Sequence, residues 1–407
     1  MKNILYKGYH SKKALNAFIS SMNQGNLILF LPPTMDNYDF VKDLPEADYE
    51  IMGELWQGDE NLPKAQGQYD ISFCSGVFSS GTTKNSKLIL YSKENIRSSV
   101  SSIYGLFTEE QSKRIFCYPQ PYHTFGLTLG FGAHYFLNKE IYFAEGHYNQ
   151  NFHETWAQNN FELTLGTPTH FYDLLNWLDT KSIDLKTRES CIIGGAKVKK
   201  NLWFDIREKL KIQNPSIGYG ASEASPGISH LNPGIEPLQD GEIGSPLDHV
   251  EYKITNDGLL FSGPNLCAGI LEDGKMHLPS DYLLPDLIEE QSSNSNGWVY
   301  KARLNWILNR GGEKFSLEKI ETSLFNEFSL ESIACCIPDE RLGEELGLLI
   351  KNSNENIDKV YSYLEQEYGR KFKDNYLFVE EFPRNNNLKI DRKTASQWLI
   401  KNQKRHQ

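Results

Sequence analysis

No stretch of this 407-residue chain offers the ~20 consecutive apolar residues that a helical membrane span requires. The longest early apolar run, Leu27 to Leu31, is stopped by Pro32 and Pro33. Residues Met1 to Lys13 hold neither a continuous apolar stretch nor a small-residue cleavage site, so no signal peptide is expected. Cysteine is sparse: six residues, at 74, 117, 191, 267, 335 and 336, form no CxxC pair. That pattern indicates neither a zinc site nor a disulfide framework, and it reads as buried thiols in a reducing cytoplasm. An excess of positive charge is missing too. A net charge of -11 and a pI near 5.5 disfavour a nucleic-acid partner, because phosphate neutralisation needs clustered Lys and Arg. The basic ending Lys401 to His406 reads as a solvated tail, and no internal repeat is visible.

What is present is a large core. With 39% hydrophobic and 12% aromatic residues, a chain of this length builds two or three domains. Strand-like runs at Ile71 to Phe73, Leu88 to Leu90, Ile115 to Cys117, Ile141 to Phe143 and Cys191 to Ile193 alternate with helical patterns such as Lys93 to Leu106 and Leu202 to Leu210. This alternation predicts α/β layers. Ser92 is placed to cap the helix after it. Between Gly241 and Ile270 the chain turns to short β-rich pieces punctuated by Gly, Pro and Asn256-Asp-Gly258, which predicts a small β subdomain. The Ser/Asn-rich patch Gln291 to Asn296 reads as a surface loop. The expected organisation is a large N-terminal α/β domain over 1–302 and a small α+β domain over 303–407, with a boundary near Asn305.

The sharpest local signal is Ser79-Ser-Gly-Thr-Thr-Lys-Asn-Ser-Lys87. A small-residue loop after a strand exposes N–H groups and hydroxyls suited to phosphate oxygens. Ordinary surface turns share that composition. Gly76 to Gly81 has the glycine spacing of a Walker loop, but Thr82-Thr83 stands where Lys-Ser/Thr belongs, so the P-loop reading fails. Further along, Tyr219-Gly-Ala-Ser-Glu223 combines an aromatic face, a hydroxyl and a carboxylate suited to Mg²⁺. Alone it would read as a glycine-containing turn with a solvated Glu.

Taken with the later segments, the loop resembles the phosphate loop of the adenylate-forming superfamily, [ST]-S-G-T-T-G-x-P-K. That superfamily contains acyl- and aryl-CoA synthetases, firefly luciferase and peptide-synthetase adenylation domains. Lys84 and Ser86 replace its second glycine and its proline. Pro121-Tyr-His-Thr-Phe-Gly126 is similar to P-L-F-H-x-x-G. Thr167-Pro-Thr-His-Phe171 and Ile193-Gly-Gly-Ala196 look like pocket-lining segments, and Tyr219 to Glu223 looks like Y-G-x-T-E. Ser280-Asp281 stands for T-G-D and Arg303 for the Arg of G-R-x-D, with Ala302 and Asn305 as departures. Asn309-Arg-Gly-Gly-Glu-Lys-Phe315 resembles the loop that faces the thiol acceptor, and Ile337 to Glu344 is also similar to a family signature. Pro383 to Arg392 is like P-R-T-x-x-G-K-I-x-R, with Leu388 replacing Gly.

The resemblance implies ATP-dependent activation of a carboxylic acid as its adenylate, followed by transfer to a thiol, that of coenzyme A. By it, Ser79, Ser80, Gly81, Thr82, Thr83 and Lys87 hold phosphates. Tyr219 faces adenine, Ser222 meets phosphate, Glu223 binds Mg²⁺, and Asp281 and Arg303 grip the ribose. His123 gates an acyl pocket lined by Thr169, Gly194 and Gly195. Lys389 bridges the acyl carboxylate and the α-phosphate, and Gly311 and Gly312 face the thiol after the small domain rotates near Asn305. The segments keep the family's order from about residue 71 to 392. A short region ahead of the phosphate loop is shared with compact o-succinylbenzoate:CoA ligases of menaquinone synthesis, the leading specific expectation. Rival readings are a ligase loading an external carrier protein, since no carrier domain is visible, and a non-catalytic nucleotide-binding homologue. Whether the protein forms a homodimer is left open.

Overall fold

The computed structural model describes residues 2–403 apart from 57–61, 80–86, 147, 182, 291–296, 312, 353–354 and 385–389, and apart from the side chains of 305, 314 and 403. Two compact units result: Met1–Thr255 with Leu259–Leu284 and Ile288–Lys301, and Ala302–Gln407 with Asn256–Gly258 and Pro285–Leu287.

The first unit is built on two large sheets. In the nine-stranded sheet, Glu140–Tyr142, Arg114–Cys117, Leu163–Gly166, Arg188–Gly194 and Ile212–Gly220 lie side by side and all run parallel. Antiparallel strands including Gly227–Leu231 and Glu242–Pro246 extend it. Leu163–Gly166 is buried at every position, as a strand covered on both faces must be. The seven-stranded sheet pairs Asn3–Lys7 in parallel with Ile28–Leu31 and Tyr49–Met52, then continues through Ser75–Phe78, Leu88–Tyr91 and Gly269–Glu272. One apolar core joins the inner faces of both sheets through the helix Lys93–Tyr104 and the segment Phe125–Leu137. A second core under the helices Gln150–Gln158, Pro168–Asp179 and Lys200–Lys209 covers the outer face of the nine-stranded sheet with Trp156, Phe171 and Trp203. Each such fully buried large side chain stabilises the fold by ~1.5–3 kcal/mol.

Local sequence explains the helix entries. Ser92 accepts from Asn95 N–H while the Asn95 side chain takes Ser92 N–H, the reciprocal box expected from Ser92. Thr167 does the same with His170, and Pro168 occupies the first helical turn, where its missing N–H costs nothing. The strand predicted at Ile71 to Phe73 is a correction: the ladder begins at Ser75, opposite Ile28. Ile71 and Phe73 are apolar because they pack in the cluster beneath the seven-stranded sheet rather than because they pair. The turn-rich stretch 241–270 distributes its strands over three sheets. Glu242–Pro246 joins the nine-stranded one, Gly269–Glu272 the seven-stranded one, and Glu251–Thr255 with Gly258–Ser262 forms a three-stranded sheet with Tyr282–Leu284.

The second unit is α+β. Its five-stranded sheet holds Ile307–Arg310, Glu313–Ser316, Ser332–Asp339, Gly343–Lys351 and Tyr376–Val379, with the helices Leu317–Phe328, Ile357–Tyr368 and Arg392–Gln403. Among the described residues, no helix is long and apolar enough to cross a membrane.

Phe125–Gly132 is a π-helix, wider than an α-helix, and it presses its backbone on the loop before it. A Cβ at Gly126 would lie 2.1 Å from Pro119 O and 2.3 Å from Gln120 O. Neither carbonyl can swing away as a flexible side chain would. Gly126→Ala is therefore expected to destabilise the protein by ~1–3 kcal/mol, the usual cost of overpacking. Chemical denaturation of both forms checks it, and an unchanged midpoint would contradict the close approach.

Candidate active site

Parallel strands deliver the segments after them to one edge of their sheet. His123 lies beyond Arg114–Cys117, Thr169 beyond Leu163–Gly166, Gly194 and Gly195 at and just past the end of Arg188–Gly194, and Tyr219, Ser222 and Glu223 at and just past the end of Ile212–Gly220. Open α/β sheets bind ligands outside the carboxyl ends of their strands. Seven residues selected from sequence thus share that edge, within the first unit.

Their surroundings are specific. Gly194 pairs with Gly218 across the ladder, and a Cβ at Gly194 would sit 3.1 Å from Gly218 O and 3.5 Å from the Phe125 ring. Two glycines here thin the sheet edge beneath an aromatic wall. Gly195 takes a positive φ of 84°, which turns the chain at the strand end. Tyr219 packs its ring 6.2 Å from that of Tyr300. Ser222–Ala224 is one 3₁₀ turn. Glu223 lies against Tyr282, whose phenol is pushed above its ordinary range by burial and by that carboxylate. Asp281, next along the chain, is exposed.

The Ser79 to Lys87 segment is the connection of an antiparallel hairpin, Ser75–Phe78 with Leu88–Tyr91, closed by Ser79 N–H donating to Lys87 O at 2.8 Å. Lys87 makes an ion pair with Glu272 at 3.1 Å. Ser80, Gly81, Thr82 and Thr83 lie outside the described residues, as do Lys84 and Ser86.

In the second unit Arg303 pairs with the buried carboxylate of Asp286 at 3.6 Å. Gly311 has a φ of 60° at the turn between Ile307–Arg310 and Glu313–Ser316. Gly312 and Lys389 lie outside the described residues. Around Lys389, Arg384 bridges Ile390, and Asp391 N–H donates to Pro383 O at 2.8 Å. Arg392 is paired with Glu321 and lies 4.6 Å from the Trp306 ring centre.

Sequence reasoning missed several residues. His10 is buried, stacks on Phe143 at 4.8 Å, and holds the loop before His123: its ring Nε2 meets Pro119 O at 2.7 Å and its backbone N–H donates to Gln120 Oε1 at 2.9 Å. Asp286 and Asn265 were missed too. Asp286 opens the strand Asp286–Glu290, where a polar residue among apolar ones was the only signal, and Asn265 lies in a Gly-Pro-Asn turn that reads as an ordinary surface turn.

Residues 44–269, more than half of the chain, match the family model described as AMP-binding enzyme. The chain belongs to that family. Among curated proteins it is 23% identical over 337 residues to the putative acyl-CoA synthetase YngI of Bacillus subtilis, covering 77% of this chain and 61% of the relative. It is 26% identical over 302 residues to the acyl-CoA ligase cnsG of Penicillium expansum, covering 68% and 62%. The chain thus spans about three fifths of the length of these relatives. Among solved structures, the o-succinylbenzoate CoA synthetase of Bacillus subtilis with its acyl-adenylate superposes with a TM-score of 0.76 at 16% identity, over 97% of this chain and 88% of that one. ATP-bound MatB from Rhodopseudomonas palustris gives 0.77 at 17%, over 98% and 88%. The anthranilate CoA ligase AuaEII gives 0.78 at 15%, over 99% and 88%. The fold is that of adenylate-forming enzymes.

Next to Thr169 lies an imidazole cluster: the His170 ring stacks on Tyr118 at 5.2 Å, and His153 Nδ1 meets the Tyr118 phenol at 3.2 Å. Burial lowers His10 and His153 to about 4 and His170 to about 3, the last with a smaller contribution from His153. The unfolded chain takes up these protons near the ordinary value of about 6.5. Stability is therefore full above about pH 6.5 and is lost as pH falls towards the folded values. Thermal melts in steps from neutral to mildly acidic pH should show this loss, with a shallower slope in His170→Asn. Identical slopes would contradict it.

Proposed function

We propose that the protein is an ATP-dependent acid:CoA ligase that forms an acyl adenylate and then its thioester. The observation that carries this is the convergence of His123, Thr169, Gly194, Gly195, Tyr219, Ser222 and Glu223 at one sheet edge in an AMP-binding family member. In the first step the substrate carboxylate oxygen bonds to the ATP α-phosphorus and the bond to the β-phosphate oxygen breaks, releasing pyrophosphate. Tyr219 receives the adenine face, Asp281 and Arg303 the ribose hydroxyls, Ser222 and the Ser79–Lys87 hairpin the phosphates. In the second step the thiol attacks the acyl carbon and AMP leaves, with Gly311 and Gly312 admitting the pantetheine chain.

Glu223 fits a magnesium ion of a particular kind. Among the described residues no three His, Cys, Asp or Glu cluster as a metal cage. One carboxylate suits Mg²⁺ that brings water and nucleotide phosphates as its other ligands. The ion, when bound, offsets charge on the transferring phosphoryl group. The six cysteines are free thiols, which accords with a reducing cytoplasm.

For the acid, an aryl substrate such as o-succinylbenzoate is favoured. The Phe125 ring over Gly194 offers a flat aromatic wall, and two solved neighbours carry aryl acids in their names. Relatives named for long- and medium-chain acids supply the competitor. A pyrophosphate-release screen over aryl, succinylated aryl and fatty acids, with and without coenzyme A, should give the highest kcat/KM for an aryl acid. A higher value for palmitate would overturn that choice.

Lys389→Ala should slow adenylate formation ~10²-fold or more, as loss of one preorganised charge does. Thioester formation from supplied acyl adenylate should persist. Equal loss in both half-reactions, or in neither, would refute the role given to Lys389.

A further inference from the structure

The Ser222–Ala224 turn is held through all three of its carbonyls, each by a different donor. The Tyr91 phenol donates to Ser222 O at 2.9 Å, Cys267 N–H to Glu223 O at 2.8 Å, and Asn265 Nδ2 to Ala224 O at 3.1 Å and Gly227 O at 2.6 Å. Tyr91 and Asn265 are 0% exposed. The donors are themselves fixed. Cys74 N–H donates to Tyr91 O at 2.8 Å, and Asn95 Nδ2, in the cap just beyond Tyr91, donates to Pro264 O at 2.9 Å.

A turn at a sheet edge can satisfy its carbonyls with water. Here each is instead engaged from the protein interior, so the turn cannot reorient without leaving a buried donor unpaired. Tyr91 also ends the strand Leu88–Tyr91, which starts next to Lys87. One short strand thus starts beside Lys87 and ends at the clamp on the acidic turn.

We propose that Tyr91 and Asn265 are positioning residues that fix the backbone of Ser222 and Glu223 for a nucleotide bound with a divalent cation. The inference rests on the assignment of Glu223 as the carboxylate that meets the metal. It is distinct from it, because Tyr91 and Asn265 are fully buried and act on the turn through its carbonyls.

The test uses full-length protein, Mn²⁺ and α,β-methylene ATP, with free and bound Mn²⁺ read by electron paramagnetic resonance. Tyr91→Phe removes one hydroxyl and little volume. Tyr104→Phe is its control: that residue is also buried in the same core and its phenol donates to Leu129 O at 2.5 Å, far in sequence from the turn. Tyr91→Phe should lose about tenfold in Mn²⁺ affinity in the presence of nucleotide, the scale of outer-shell substitutions. Tyr104→Phe should keep wild-type affinity while losing a similar amount of thermal stability. Asn265→Ala should lose affinity like Tyr91→Phe. Wild-type affinity in Tyr91→Phe, or an equal loss in Tyr104→Phe, would overturn the clamp. Glu223→Gln separates the two layers: if it loses affinity and Tyr91→Phe does not, only the clamp falls. If wild type and Glu223→Gln take up Mn²⁺ equally, both fall.

Discussion

Parallel pairing is the constraint on which the rest depends. Strands hydrogen-bonded in one direction must all finish on the same edge, and the chain must cross back over the sheet before each new strand. Five such strands in the first unit therefore gather segments that are far apart in sequence, from His123 to Glu223, along a single rim. Burial on both faces fixes their register. A slip of one residue would turn Ile192 or Leu165 from one core to the other. The glycines at 194 and 218 act inside this constraint, opening the rim where a side chain would fill it.

A rim alone does not make a site stiff. The polar ties at its ends run to the other sheet. His10, just beyond Asn3–Lys7, holds the loop before His123, and Tyr91, at the end of Leu88–Tyr91, holds the turn with Glu223. The His10 ties are buried and the Tyr91 tie is part-buried, and a hydrogen bond is electrostatically stronger in a buried medium than in water. The π-helix between the sheets is pressed against the same loop by Gly126. Packing, polar ties and strand direction thus act on the same few backbone segments.

Much of this was legible in the sequence because local chemistry decided it. Ser92 caps its helix because a hydroxyl before a helical run satisfies an orphan N–H, and Leu88–Tyr91 is a strand because its four apolar residues are buried in a sheet. Motif order also located the rim residues, since each lies at or beyond the end of a strand. The illegible part is long-range. Apolar Ile71 and Phe73 look like a strand, yet only a partner across the ladder makes one, and that partner starts at Ser75. Likewise nothing near Asn265 or His10 announces that its partner carbonyls lie dozens of residues away. The pairing of Arg303 with Asp286 shows the same limit, because the sequence gives four carboxylates ahead of it, at 281, 286, 289 and 290, and only folding selects one.

The central claim is that the chain joins an acid to AMP. Its most direct test supplies ATP, Mg²⁺ and an aryl acid whose carboxylate oxygens carry a heavy isotope, without any thiol, then adds coenzyme A after the first product forms. The account predicts an acyl adenylate and pyrophosphate in the first stage, and AMP bearing one labelled oxygen in the second. ADP with labelled inorganic phosphate, or AMP without label, would contradict it.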